Sequence, residues 1–391
     1  MRSRTAVGLG GALLVAVLMA SACTDSSELR SSTGATPTLP PETTASVLPP
    51  TTASTTTVPG TTTTESVRTW TLLAGGDVLM ERSERLGLDP FASIEPSLGS
   101  ADLSVVNVEM AISDRGTARD KTYVFRAPPA AATRIAAGGV RVGNLANNHA
   151  MDYGPDALAD TIDLLEAAGV VTIGAGDNSD EAYRYRVLTT RGGLDVAFVG
   201  ASLIVPSGFA AGPTPPGIAS AHPPNLSRVL DSVRAAAAAA DAVVAVVHWG
   251  IERNPCTNEA QRSLARQLLD AGADAIIGHH PHVLQPVVFT GEKLVAFSLG
   301  NFIWEPRQNM GGETGVLQID FDGDRVVGWT LHPHLLDGDG VPVPADSGPR
   351  VNRIHEIASG DCGPHMPPQT TSSLPPQTTT SLPPPTGTAG F

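Results

Sequence analysis

The sequence predicts an α/β fold in which short apolar strands alternate with helices. Three observations carry that prediction. Uniformly apolar runs of strand length recur, the longest being Ala242-Val243-Val244-Ala245-Val246-Val247, and such runs suit strands covered on both faces. Helix punctuation stands between them, with Pro155 at one start and Gly169 and Gly272 at two ends. Strand after strand then gives way to a cluster of polar residues.

Taken in order, residues 69–74 read as the first strand, ending in Gly75-Gly76-Asp77. Residues 103–106 are the next and end in Asn107-Val108-Glu109; residues 140–146 follow and end in Asn147-Asn148-His149. A helix begins at Pro155, places Leu158, Ile162 and Leu165 on one face, and stops at Gly169. Residues 170–173 and 196–199 are further strands. Residues 226–240 are helical and lead into the strand 242–247, which ends in His248-Trp249-Gly250-Ile251-Glu252. A helix over 259–271, with Leu264 and Leu268 on one face, returns the chain to Ala275-Ile276-Ile277 and then to Gly278-His279-His280-Pro281-His282. Residues 294–297 end in Ser298-Leu299-Gly300-Asn301, and 315–321 with 325–331 form a hairpin about Asp322-Gly323-Asp324.

The ends of the chain are of another kind. Residues 1–22 read as an export signal: Arg2 and Arg4, an apolar run too short for a comfortable membrane span, then Ser21-Ala22-Cys23. Ala20-Ser21-Ala22-Cys23 resembles a lipobox, so Cys23 is expected to carry a lipid and hold the protein at the outer face of the cell membrane; simple release after cleavage is the alternative. Residues 23–66 are almost all Thr, Ser, Pro and small residues, a disordered stalk that cannot bury enough apolar surface to offset its ordering entropy. Residues 361–391 form a matching Pro/Thr-rich tail, built on a near-repeat of Pro-Pro-Gln-Thr-Thr. Residues 67–360 remain for the folded part. The whole chain's formal net charge of −14 weighs against nucleic acid or an anionic lipid surface as the main partner. With Cys23 lipidated, Cys256 and Cys362 are left as a possible disulfide in an oxidising exterior.

The candidate site follows from position. Asp77, Glu109, Asn148, His248, His280 and His282 all stand just past the carboxyl end of an expected strand, the edge at which loops of an α/β sheet converge on ligands. His280 and His282 flank a proline that stiffens the turn they stand on, and in an extended segment that spacing turns both rings to one side. Two carboxylates, an amide and three imidazoles suit Zn, Mn or Fe, one ion or two; a pair about 3.5–4 Å apart sharing a carboxylate would serve hydrolysis or phosphoryl transfer. His149 is the candidate catalytic acid for the leaving group. Plainer readings stand beside these: Asp77 as a turn cap, Asn148 as a partner of loop amides, Glu109 as a surface carboxylate, His248 as a core histidine. Asp152 is read as supporting the helix start, Asn301 as a turn residue with lining of the crevice as the alternative, and Arg82, Arg85, Arg115, Arg119, Lys121 and Arg126 as a solvated basic face or the rim of an anion-binding crevice.

Six segments together resemble the capsule-synthesis protein CapA family (PgsA-like, associated with poly-γ-glutamate capsules). They are Gly76-Asp77-Val78-Leu79-Met80, Asn107-Val108-Glu109, Ala146-Asn147-Asn148-His149-Ala150-Met151-Asp152-Tyr153-Gly154, His248-Trp249-Gly250-Ile251-Glu252, Gly278-His279-His280-Pro281-His282-Val283-Leu284-Gln285 and Ser298-Leu299-Gly300-Asn301-Phe302. The resemblance implies a metallo-dependent phosphatase-like α/β/β/α sandwich. Asn148-His149 and His280-Pro281-His282 would stand where calcineurin-like phosphoesterases carry Asn-His and His-x-His. Leu79 occupies the histidine position of their first Asp-x-His, and Glu109 stands near an expected aspartate. The implied partner is an anionic surface polymer or its membrane synthase. A secreted phosphoesterase without a capsule role, and a non-catalytic polymer- or synthase-binding component, are the alternatives.

Overall fold

The computed structural model describes residues 68–305 and 311–360. The expected export signal, stalk and tail, with Cys23 and Cys362, lie outside them.

The described residues form a mixed α/β fold with two large sheets. The eight-stranded sheet runs in the order Pro342–Pro344, Arg325–Leu336, Glu313–Asp322, Thr69–Val78, Leu103–Val108, Val142–Asn144, Val171–Ile173, and Asn301–Ile303 joins the end of Thr69–Val78 in parallel. From Thr69–Val78 to Val171–Ile173 the strands are parallel; towards Pro342–Pro344 they are antiparallel. The six-stranded sheet runs Val287–Phe289, Leu294–Ala296, Ala275–His279, Ala242–His248, Asp195–Ser202, Arg186–Thr189, with a parallel centre and antiparallel edges.

Strand Ala242–His248 shows why the apolar runs are unbroken. Every residue in it is buried. Side chains alternate across a strand, so Ala242, Val244 and Val246 meet Trp70, Leu72, Ala74 and Val105 of the other sheet, within one shared core. Val243, Ala245 and Val247 meet Val229 and Val233 of helix Leu226–Ala237 and Leu264 and Leu268 of helix Glu259–Ala271. On the far side of the eight-stranded sheet, Leu73, Val106 and Val108 pack with Ile135 of helix Ala130–Ala137 and with Leu158 and Leu165 of helix Pro155–Ala167. Ile354 and Ile357 of helix Pro349–Ala358 join the core between the sheets. Each fully buried valine or leucine stabilises this arrangement by roughly 1.5–3 kcal/mol.

Helix Glu259–Ala271 has the expected bounds because both ends are chemically marked. Asn258 Oδ1 accepts from Gln261 N at 2.9 Å while Gln261 Oε1 accepts from Asn258 N at 3.0 Å, and Gly272 closes the helix at φ 115°. The expected strand over 140–146 is shorter, Val142–Asn144. Asn144 Oδ1 takes the amide of Ala146 at 3.2 Å and turns the chain. The helix expected over 226–240 likewise ends at Ala237.

The first strand is longer than expected and runs through Gly75 and Gly76 to Val78. Both glycines are needed for contact with the segment 299–302. A Cβ on Gly76 would lie 2.0 Å from the Gly300 carbonyl oxygen, and one on Gly75 would lie 2.7 Å from the Phe302 ring. The close approach lets Asp77 N donate to Gly300 O at 2.9 Å.

Candidate metal centre

The polar strand ends form a row across each sheet. In the eight-stranded sheet Asn301, Asp77, Asn107 and Asn144 are successive register partners. In the other sheet Ser202, His248 and His279 are. The rows meet: His279 Nδ1 lies 3.2 Å from Asp77 Oδ1, and Asn107 Nδ2 lies 3.2 Å from His248 Nδ1.

The structure brings Asp77, Glu109, Asn148, His248, His280 and His282 together. Asp77, Glu109 and His248 have no exposed surface, and His280 and His282 retain 6% and 4%. Glu109 is fixed by its own amide, which donates to Val78 O at 3.0 Å. His248 Nε2 is 2.7 Å from Asn148 Oδ1 and 3.5 Å from Glu109 Oε1, and His282 Nε2 is 3.8 Å from the same carboxylate oxygen. Two triads result, Glu109–His248–His280 and Asp77–Glu109–His282, each with its donor atoms within 4.8 Å of one another, and Glu109 belongs to both.

The turn expected at His280–Pro281–His282 is present, but it is not extended. His280 has φ 95° and His282 φ 58°, so the segment is a left-handed turn and not a strand. The rings still converge, with centroids 5.7 Å apart, because the turn aims them. His280 N points at Asp77 Oδ2, 3.3 Å away. Among the described residues, three non-glycine residues have positive φ, and the third is Arg253, whose amide donates to Pro281 O at 2.7 Å. Each costs of order 1–3 kcal/mol, and such strain concentrates where the surrounding structure enforces it.

Around the donors lie residues that orient them. Asn107 Nδ2 is 2.9 Å from Asp77 Oδ1 and 3.1 Å from Glu109 Oε2. Its Oδ1 accepts from Asn144 and Asn147 at 3.0 and 3.2 Å. Asn301 Oδ1 faces His282 Nδ1 at 2.9 Å, which corrects its reading as a turn residue. Asp152 is corrected too. Gly154 caps the helix start, while the buried Asp152 carboxylate holds His149 Nδ1 at 2.6 Å and takes the Phe125 amide at 2.8 Å. The ammonium of Lys121 bridges Asp152 and the carbonyl of Asn148, so Lys121 is not part of a solvated face. Arg82 and Arg115 pair with Asp339 and Asp160, and Arg126 stacks 3.8 Å over Tyr153.

Three residues of the centre have no role assigned from sequence, Asn107, His279 and Glu252, and Asn301 is read there chiefly as a turn residue. Asn107 and Asn301 stand at strand ends like the residues that were chosen, and that position was their signal. His279 is fully buried between Asp77 and His248 in the same row. Glu252 is exposed, yet its carboxylate forms a third triad with His280 and His282.

The electrostatics describe a centre short of positive charge. Burial alone would raise the Asp77 carboxyl, but the rings of His279 and His282 outweigh it and hold it well below the usual carboxylate range. Burial, with the Asp77 charge alongside, pushes Glu109 well above that range. Burial and its histidine neighbours drive His248 well below the ordinary imidazole value and His280 down to about 3. Burial lowers His149 as well, against the pull of Asp152. At neutral pH these imidazoles are neutral and offer lone pairs. Glu109 Oε1, His280 Nδ1 and His279 Nε2 are buried without a hydrogen-bond partner. Buried polar atoms are ordinarily paired, and the orphaned Glu109 and His280 atoms, which belong to one triad of oxygen and nitrogen donors, fit a divalent transition-metal ion.

Cys256 is disulfide-bonded.

The sequence profile of the bacterial capsule synthesis protein PGA_cap matches residues 71–306, more than half of the chain. The chain is 29% identical over 291 residues to the PGA biosynthesis protein CapA of Bacillus subtilis (strain 168), covering 72% of this chain and 76% of that protein. It is 29% identical over 302 residues to the capsule biosynthesis protein CapA of Bacillus anthracis, covering 74% and 73%. A probable polyglutamine synthesis accessory protein of Mycobacterium tuberculosis is 30% identical over 222 residues, covering 54% and 58%.

Proposed function

The chain belongs to the bacterial capsule synthesis protein family PGA_cap, and from that premise we propose that it acts in the biosynthesis of a poly-γ-glutamate capsule or a related anionic surface polymer, through a metal-dependent hydrolase-type site. The protein is exported and tethered by a lipid on Cys23. It works on the polymer or with its membrane synthase, and its two sheets form a metallophosphoesterase-type sandwich. The names of the Bacillus relatives support the capsule role. The observation that carries the hydrolase reading is the Glu109 carboxylate oxygen, buried and unpartnered between His248 Nε2 and His282 Nε2.

Asp77, Glu109, Asn148, His248, His280 and His282 would hold one or two ions of Zn, Mn or Fe. When bound, such an ion supplies Lewis acidity and a hydroxide nucleophile at neutral pH. The chain's own residues do the remaining work. Asn107 spaces Asp77, Glu109 and His248, and Asn301 fixes the ring of His282. Asp152 binds Nδ1 of His149 and so leaves Nε2 as the atom that exchanges a proton with the leaving group.

The test is to strip the purified protein with a chelator, reconstitute it with Zn, Mn or Fe, and assay a phosphodiester and a γ-linked glutamate polymer side by side. At least one equivalent of metal and hydrolysis of one substrate are expected, both lost in His280→Ala. Less than one equivalent of every metal sinks the reading. Metal binding without turnover of either substrate leaves a binding component in its place.

A further inference from the structure

Glu252 differs from every other donor at the centre. Asp77, Glu109, His248, His280 and His282 are buried, whereas Glu252 is exposed, on the loop that follows strand Ala242–His248. Its carboxylate nevertheless lies within 4.8 Å of the donor atoms of both His280 and His282, one from each buried triad. Nδ1 of His280, a ring 6% exposed, has no hydrogen-bond partner.

The position is built into the fold. The amide of Arg253, next in the chain, donates to Pro281 O between the two histidines, and Arg253 adopts φ 61° to reach it. Gly250, at φ 96°, lets the loop pack against Pro281, since a Cβ there would lie 2.9 Å from the Pro281 ring and from the Gln261 side chain. Gln285 Nε2 donates to the carbonyls of Asn254 and Cys256 at 2.8 and 3.2 Å and closes the far end of the loop. The loop bearing Glu252 and the turn bearing the histidines therefore form one unit.

We infer that Glu252 is a displaceable ligand: it caps the metal centre from the solvent side and gives way to an oxyanion, a carboxylate or phosphate group of the substrate. This rests on the metal reading above. A carboxylate on an exposed loop offers the ion the same hard oxygen that an incoming anion offers, and little desolvation opposes its exchange. The anion would enter where Glu252 leaves, and the next residue in the chain, Arg253, is exposed and carries a guanidinium, a group suited to carboxylate and phosphate.

The experiment titrates the chelator-stripped full chain with Mn²⁺, and then the Mn²⁺-loaded protein with inorganic phosphate and with acetate, by calorimetry. Wild type, Glu252→Gln, Glu252→Asp and Asp77→Asn are compared. Glu252→Gln is expected to weaken Mn²⁺ binding roughly tenfold and to tighten phosphate and acetate binding, because the competing carboxylate is gone. Glu252→Asp should fall between, and Asp77→Asn should lose Mn²⁺ altogether. A Glu252→Gln protein with wild-type melting temperature, whose Mn²⁺ and anion affinities both stay within twofold of wild type, overturns the inference and leaves the metal reading intact. A wild type that binds no Mn²⁺ overturns both.

Discussion

Asn301 Oδ1 stands 2.9 Å from His282 Nδ1, and Asn301 is also the register partner of Asp77. One asparagine thus fixes the ring of a candidate ligand from the strand position beside a second one. Asn301→Ala is expected to lower Mn²⁺ affinity roughly 10- to 100-fold and stability by only about 1 kcal/mol. Calorimetry and urea melts on one preparation separate the two. Unchanged affinity would show that His282 needs no such support.

Lys121 sits over a fully buried carboxylate. Lys121→Met removes the ammonium that reaches Asp152 and the Asn148 carbonyl. The expected loss is roughly 1.5–3 kcal/mol, the range for a hydrogen bond to a charged group. Asp152→Asn in the same background should cost less than it does in wild type, since the pair is then already broken. Strict additivity in urea melts would contradict this.

His248 and His280 resist protonation in the folded protein, whereas the unfolded chain takes up protons at the ordinary value of 6.5. Their folded values are depressed, so their contribution is fully present above pH 6.5 and is lost as pH falls below it. For His280 the loss continues towards pH 3. Each contributes a slope of roughly 1.4 kcal/mol per pH unit. Glu109, raised by burial, works in the opposite direction above its ordinary value of 4.5. His149, lowered in the same direction, adds to the two, so metal-stripped protein should lose stability as pH falls from 6.5 to 5. Urea melts across this range that are flat, or that rise as pH falls, would refute it.

Gly76→Ala would set a methyl group 2.0 Å from the Gly300 carbonyl oxygen. Overpacking of this kind costs about 1–3 kcal/mol or more, and here it also pushes Asp77 away from Asn301. Lower thermal stability together with weaker metal binding is expected. Gly338→Ala, where nothing lies within 4 Å, is the control that should change neither.

Much of this was legible in the sequence because burial and capping write themselves into composition. Strand Ala242–His248 is apolar at successive positions because a sheet core lies on one side and two helices on the other, and helix Glu259–Ala271 is bracketed by Asn258 and Gly272. Strand ends gave the positions of Asp77, Glu109, Asn148, His248, His280 and His282. What escaped notice depends on contacts between distant segments. No local pattern says that Asn107 will touch two carboxylates and a histidine, or that Asp152 will turn from the helix start towards His149 and Lys121. His280 and His282 looked extended because an i, i+2 pair across a proline suits a strand, whereas their left-handed conformation is enforced by the packing of Pro281 against the loop at Gly250 and Arg253.

The two rows of donors come from opposite halves of the chain, Asp77 to His149 on one side and His248 to His282 on the other, and from different sheets. Neither half can assemble the site alone, so an ion seated there acts as a clasp across the seam between the sheets. Such an ion would add its binding free energy to the stability of the fold, and withdrawing it should loosen that seam.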